Sequence, residues 1–184
     1  EKRQTRGINR AWSDREYKIF LKLCDKYNRA DIQCVAVLGR ETGLRLHEAM
    51  RLDRNAANKA IMSGKLVVKG KGGKVREVPI NNNVKNYLNN YIDNYNPSNK
   101  LFVAENEKTH LRIKQVQNFI VRHRDKFQQP QAEINKTFHG LRHAYAQEQY
   151  KNFKKSGLND YESRKAVSEL LGHERDEVTR IYLS

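Results

Sequence analysis

GKLVVKGKGGKVREVPI, residues 64–80, is where the character of this chain changes. Leu66, Val67 and Val68, then Val75, Val78 and Ile80, are β-forming residues on either side of a glycine-rich turn at 70–73. Such runs around such a turn make an antiparallel hairpin. Outward from it the apolar residues recur at helical spacing. Ser13 with Glu16 forms a capping-box signal, and Tyr17, Phe20, Leu21 and Cys24 continue it, which predicts a helix over 13–28. Val35, Val37 and Leu38 predict a second helix over 30–42 with Gly43 at its C-terminus. Short helices are expected at 45–52 and 53–62. Downstream, Val84, Tyr87, Leu88, Tyr91 and Ile92 give a helix within 81–99 that stops before Pro97. The run LFV at 101–103 is expected to add a short third strand, 111–127 a further helix, and the polar stretch 128–136 a loop. Helices are expected at 139–153, 161–171 and 176–182, with the polar segment KNFKKSGLNDYES (151–163) forming a surface loop. The sum is a mainly α domain with one small antiparallel β-sheet, an α+β fold over 13–184, behind a basic linker or arm at 1–12.

With 184 residues and 38% hydrophobic residues, the chain can bury a core of ordinary size. Lys and Arg number 36 against 21 Asp and Glu, a net charge of +15. Such an excess calls for a polyanionic partner, of which nucleic acid is the commonest. A membrane partner is not expected: no apolar run approaches the ~18 residues that span a bilayer, and no signal-peptide pattern opens the chain. Cys24 and Cys34 are the sole cysteines, without zinc-binding spacing, and read as buried thiols of a cytoplasmic protein. The chain begins without Met and stops two residues after Tyr182, so a piece of a longer protein is expected.

Several residues could carry chemistry. His139 and Arg142 are three apart, so on a helix they share a face and could clamp a phosphate oxygen and move a proton; a solvated basic face is the bland alternative. His143 adjoins them and is expected to point elsewhere as a structural residue. Arg45 follows Gly43 at the start of a helix, where N–H groups and the helix dipole favour an anion. Glu48, one turn on, could orient Arg45 or a catalytic histidine, or be an ordinary ion-pair partner. The hairpin carries Lys69, Lys71, Lys74 and Arg76, expected DNA-backbone contacts among which composition alone does not single out one lysine for catalysis. His173 and Tyr182 are nine residues apart and would face opposite ways on one helix. A break near Gly172–Asp176, with Asp176 as N-cap, would let both reach one site.

In this order these residues resemble the catalytic domain of the tyrosine recombinases, the phage-integrase family, over about residue 13 to the end. Thr42-Gly43-Leu44-Arg45 with Glu48 matches T-G-L-R-x-x-E. Gly70-Lys71-Gly72 with Val78-Pro79 matches the G-K-G hairpin and its V-P; His139-Gly140-Leu141-Arg142-His143, then Leu171-Gly172-His173, then Tyr182 complete the set. The resemblance selects Lys71 over Lys74. It implies site-specific recombination through a 3′-phosphotyrosyl intermediate, without cofactor or metal. Tyr182 would be nucleophile, His139 base, Arg45 and Arg142 the phosphate clamp, Lys71 the acid for the leaving 5′-oxygen, and His173 a hydrogen-bonding group on the phosphate. Partners would be double-stranded attachment-site DNA and other recombinase subunits, four in the synapse, on the bacterial nucleoid, for integration or excision of a mobile element. The arm-like DNA-binding domain that usually precedes this domain and the segment beyond the tyrosine are not in the sequence, and the isolated chain is expected to be monomeric. The alternatives are a type IB topoisomerase-like enzyme, whose chains usually lack L-G-H, and a DNA-binding module without catalysis.

Overall fold

The structure, a computed structural model, describes residues 7–173 and 176–183; the first six residues of the expected arm lie outside it. Its helices are α1 (Asp14–Lys26), α2 (Ala30–Thr42), α3 (Leu46–Arg51), α4 (Arg54–Ser63), α5 (Asn82–Tyr95), α6 (Thr109–Phe127), α7 (His139–Lys155), α8 (Asp160–Leu171) and α9 (Asp176–Tyr182). Between α4 and α5 stands one hairpin, β1 (Lys65–Lys69) and β2 (Val75–Pro79).

The boundaries have local causes. Ser13 Oγ accepts from the Glu16 N–H at 3.1 Å while Glu16 Oε1 accepts from the Ser13 N–H at 2.9 Å, so the expected capping box starts α1; losing such a cap costs about 1 kcal/mol. α2 stops at Gly43, whose φ of +69° is left-handed, and a Cβ there would lie 2.4 Å from the Tyr145 ring. Turn and packing both require glycine. In the hairpin Leu66 faces Val78 and Val68 faces Arg76. Leu66, Val68 and Val78 are buried, so this face is the inward one.

The main core gathers α1, α2, α5, α6 and the inner face of the hairpin. Trp12 stacks on Phe127 (4.6 Å between centroids), meets Phe20 edge-on (5.1 Å) and donates from Nε1 to the Thr137 carbonyl at 2.8 Å. Ala11 and Trp12 are both buried, so packing on this core begins before residue 13. A second, smaller cluster holds Tyr145, Ala146, Val167, Leu171 and Tyr182 between α7, α8 and α9. Cys24 and Cys34 are free and buried, and burial pushes both thiol pKa values up. Among the described residues no helix is long and apolar enough to cross a membrane.

Two expectations are corrected. Residues 101–103 are not a strand: the sheet has two strands, and Leu101, Phe102 and Val103 enter the core as an irregular segment. Leu101 N–H donates to the Leu52 carbonyl (3.0 Å), and just before the segment the Asn99 carbonyl accepts from the Arg54 N–H (2.8 Å). The surface loop expected over 151–163 is confined to 156–159. α7 continues to Lys155 because Tyr150 and Phe153 pack on the smaller cluster, and Asn159 with Glu162 caps α8.

Candidate active site

Arg45 is the N-cap of α3, extended by the turn at Gly43. Its backbone N–H donates to Glu48 Oε2 (2.8 Å) and its Nη1 to Glu48 Oε1 (3.2 Å). Glu48 is buried and takes a second, bidentate arginine: Arg76 Nη1 and Nη2 donate to Oε1 and Oε2, each at 2.9 Å. Burial opposes ionisation of Glu48, but the Arg76 hydrogen bonds, the Arg45 N–H and the charges of Arg76 and Arg142 outweigh it and hold the carboxyl at about 2. Glu48 thus pairs with both Arg45 and Arg76, a geometry common to the orienting and the ordinary ion-pair readings. Arg76 differs from the expectation of a DNA-backbone contact, since its guanidinium is turned into the protein, with Nε donating to the Leu170 carbonyl at 3.0 Å.

Arg142 is fully buried. Nη1 donates to the Gly43 carbonyl (2.5 Å) and Nη2 to the Leu171 carbonyl (2.7 Å), tying the end of α2 to the end of α8. Its Nε is buried without a partner among the described residues. Burial, reinforced by Arg45 and Arg76 and opposed by Tyr182, brings its pKa down to about 10, so it remains a cation at neutral pH. Nη2 also lies 3.2 Å from His173 Nε2. A guanidinium only donates, so Nε2 accepts and the His173 proton sits on Nδ1, from which it donates to Thr179 Oγ1 at 3.0 Å. The chain break expected after Leu171 is present: Gly172 is left-handed (φ +69°) and α9 starts at Asp176. Asp176 is the first helical residue rather than the cap, and the preceding positions 174–175 lie outside the described residues.

Thr179 and Tyr182 are three apart on α9 and turn one face to His173. The Tyr182 hydroxyl lies 2.9 Å from His139 Nε2. Its ring stacks on His143 (4.3 Å, 27°), faces His173 (5.0 Å) and lies 5.5 Å from the Arg142 guanidinium carbon. His143 is thus no bystander, contrary to the sequence reading. The signal was available: His139 and His143 are i and i+4 on α7, and their rings meet at 5.2 Å. All three imidazoles are held neutral. Burial, then Arg142 and Arg45, lowers His139 to about 4; burial, then His139, Arg10 and Arg142, lowers His143 to about 3; burial, then Arg142 and Arg45, lowers His173 to about 3. His139 keeps an exposed edge at the first turn of α7, whereas His143 is buried.

Arg45 separates two clefts. One, of about 520 Å³, runs between the hairpin and His173. The other, of about 400 Å³, is bounded by His139, His47 and α6. Lys74 lines the first and is exposed, as is Lys69. The side chain of Lys71 lies outside what is described; its backbone opens the turn that the Gly70 N–H closes onto the Lys74 carbonyl at 2.7 Å. The structure so brings together Arg45, His139, Arg142, His173 and Tyr182 beside the hairpin turn. Among the described residues no three His, Cys, Asp or Glu side chains are placed to hold a metal ion.

The sequence model of the phage integrase family matches residues 12–184. The chain belongs to the phage integrase family. Its fold is similar to that of XerA recombinase (TM-score 0.70, 19% identity, covering 100% of this chain and 61% of that one). It is also similar to lambda integrase as a dimer bound to a COC′ core site (0.70, 18%, 97% and 49%). A third similar structure is the XerH site-specific recombinase bound to palindromic difH substrate in a post-cleavage complex (0.66, 22%, 99% and 51%). The integrase-family chain thus spans about half to three-fifths of the length of these structures. No curated protein matches it in sequence.

Proposed function

We propose that this chain is the catalytic domain of a site-specific DNA recombinase that cuts and rejoins DNA through a 3′-phosphotyrosyl intermediate on Tyr182. The observation that carries this reading is the Tyr182 hydroxyl 2.9 Å from His139 Nε2, over a buried arginine and beside Arg45. In the step proposed, Tyr182 Oη attacks the scissile phosphorus and its proton passes to His139 Nε2. The P–O5′ bond breaks and Lys71 gives a proton to the departing oxygen. Arg45 and Arg142 hold the charge that gathers on the non-bridging oxygens. A 5′-hydroxyl from another strand reverses the step, so bond energy is kept in the phosphotyrosine.

The low pKa values of His139 and His173 fit this order of events. Their imidazoles are neutral because of burial first and then the surrounding cations, and an arriving phosphodiester anion offsets the cationic part. His139 then becomes a stronger base when substrate is bound. His173 Nε2, which accepts from Arg142 now, becomes able to donate to the phosphate once protonated.

Double-stranded attachment sites, further recombinase subunits assembled on DNA as a tetramer, a bacterial nucleoid setting and a part in integrating or excising a mobile element belong to the same proposal. The lambda integrase and XerH structures, both on DNA, support it by similarity of fold. The test is a nicked suicide duplex, whose short 5′-hydroxyl product diffuses away and leaves any covalent protein–DNA adduct trapped. A denaturing gel should show an adduct whose linkage maps to Tyr182 and to a 3′-phosphate. Binding without any adduct would instead favour a DNA-binding module.

A further inference from the structure

We infer that Arg76 is a positioning residue that sets where the hairpin turn stands relative to Arg45 and His173, and so places Lys71 against the leaving oxygen. The inference rests on the proposed role of Lys71 as general acid. Three of the five Arg76 donors are committed inside the protein, two to Glu48 at 2.9 Å and Nε to the Leu170 carbonyl at 3.0 Å. Its side chain is 10% exposed and that of Glu48 0%. Glu48 in turn accepts from the Arg45 N–H and Nη1. One ionic knot therefore joins β2, the start of α3 and the end of α8, the three segments that carry the hairpin turn, Arg45 and the turn to His173. The aliphatic stem takes part as well: a Cβ on Gly172 would lie 2.9 Å from Arg76 Cδ, so the backbone before His173 runs directly against it.

A two-stranded hairpin is marginal by itself and needs anchoring. On the inward face Leu66, Val68 and Val78 supply non-directional packing. Arg76 supplies the bidentate, directional contact, one cross-strand pair before the turn. Lysine keeps the charge but loses the fork and the Nε bond. A misplacement of about 1 Å costs on the order of 10²-fold in rate.

The experiment compares wild type, Lys71→Ala and Arg76→Lys in single-turnover cleavage of a nicked suicide duplex, its core sequence first selected by the protein from a random library. Each protein is assayed with oxygen and with sulfur at the bridging 5′ position. A thiolate leaves without a proton, so any defect in delivering the acid disappears with sulfur, whereas defects in folding, DNA binding or phosphate clamping persist. Arg76→Lys should cleave the oxygen substrate about 10²-fold more slowly, and with sulfur both variants should return to near the wild-type rate. Rescue of Lys71→Ala but not of Arg76→Lys would overturn the inference and leave the Lys71 reading intact. Wild-type cleavage of the oxygen substrate by Arg76→Lys would overturn it too. Failure to rescue Lys71→Ala would remove the acid role itself, and the inference with it. Should Arg76→Lys melt below the assay temperature, Arg76→Gln, which leaves Glu48 and its two bonds from Arg45 in place, is put through the same comparison.

Discussion

Tyr182 packs against the imidazole rings of His139, His143 and His173, and His143 makes the closest stack, at 4.3 Å. A stacked pair is worth about 0.5–1.5 kcal/mol beyond buried area. His143→Ala should therefore slow covalent attachment about 3- to 10-fold, and His143→Phe, which keeps a flat ring under the tyrosine, should recover most of it; single-turnover adduct formation measures both. His143 also makes stability depend on pH. Its pKa is lowered on folding to about 3 from an ordinary 6.5, so the unfolded chain binds more protons. The stabilisation is present above pH 6.5 and is lost as pH falls from there through about 3. For this one ring the loss between pH 6.5 and 5.5 is about 1 kcal/mol. Melting temperature against pH should fall in that window for the wild type and less steeply for His143→Phe; identical slopes would contradict the buried neutral imidazole. The residues of the site were legible unevenly. Arg45, His139, Arg142, His173 and Tyr182 stand in a distinctive order, and order survives in sequence. His143 was missed through its neighbour Arg142, when its partner at i−4 was the informative one. Arg76 was assigned by charge, although strand alternation places it on the face of Val78.

At the scale of elements, the site depends on how helices end. Gly43 ends α2 in a left-handed turn, gives its carbonyl to Arg142 and leaves Arg45, two residues on, as the N-cap of α3. Gly43→Ala meets both the left-handed penalty, about 1–2 kcal/mol, and the Tyr145 ring. It should lower stability by about 2–4 kcal/mol, read from the denaturant midpoint, with cleavage lost out of proportion to DNA binding. Within the hairpin, Lys71→Ala should slow cleavage by ~10²–10⁴-fold, while Lys74→Ala should chiefly weaken DNA binding and lower its salt slope by about one. The reverse pattern would move the acid role to Lys74. Most helices and the hairpin were legible because periodicity and caps are local signals. The segments 101–103 and 151–163 were not. Three apolar residues read as strand, but Leu101 N–H goes to the Leu52 carbonyl, far away in sequence, and the segment is irregular. The polar stretch also hid the cap formed by Asn159 and Glu162, which starts α8 at Asp160.

At the scale of the molecule, the charge of +15 and the two clefts around Arg45 belong to one proposed surface for DNA. A protein using 6–10 backbone contacts should lose roughly 10³–10⁵ in affinity between 50 and 200 mM salt, which a titration by fluorescence anisotropy reads directly. Two arginines and a lysine take the electrostatic part in the proposed cleavage step, so adduct formation should also proceed in EDTA. All of this converges on one atom. The most direct measurement is covalent capture on a nicked suicide duplex, wild type beside Tyr182→Phe, with binding measured in parallel. Wild type should form a 3′-phosphotyrosyl adduct, and Tyr182→Phe should bind the same DNA with similar affinity and form none. An undiminished adduct from Tyr182→Phe would contradict the account at its centre.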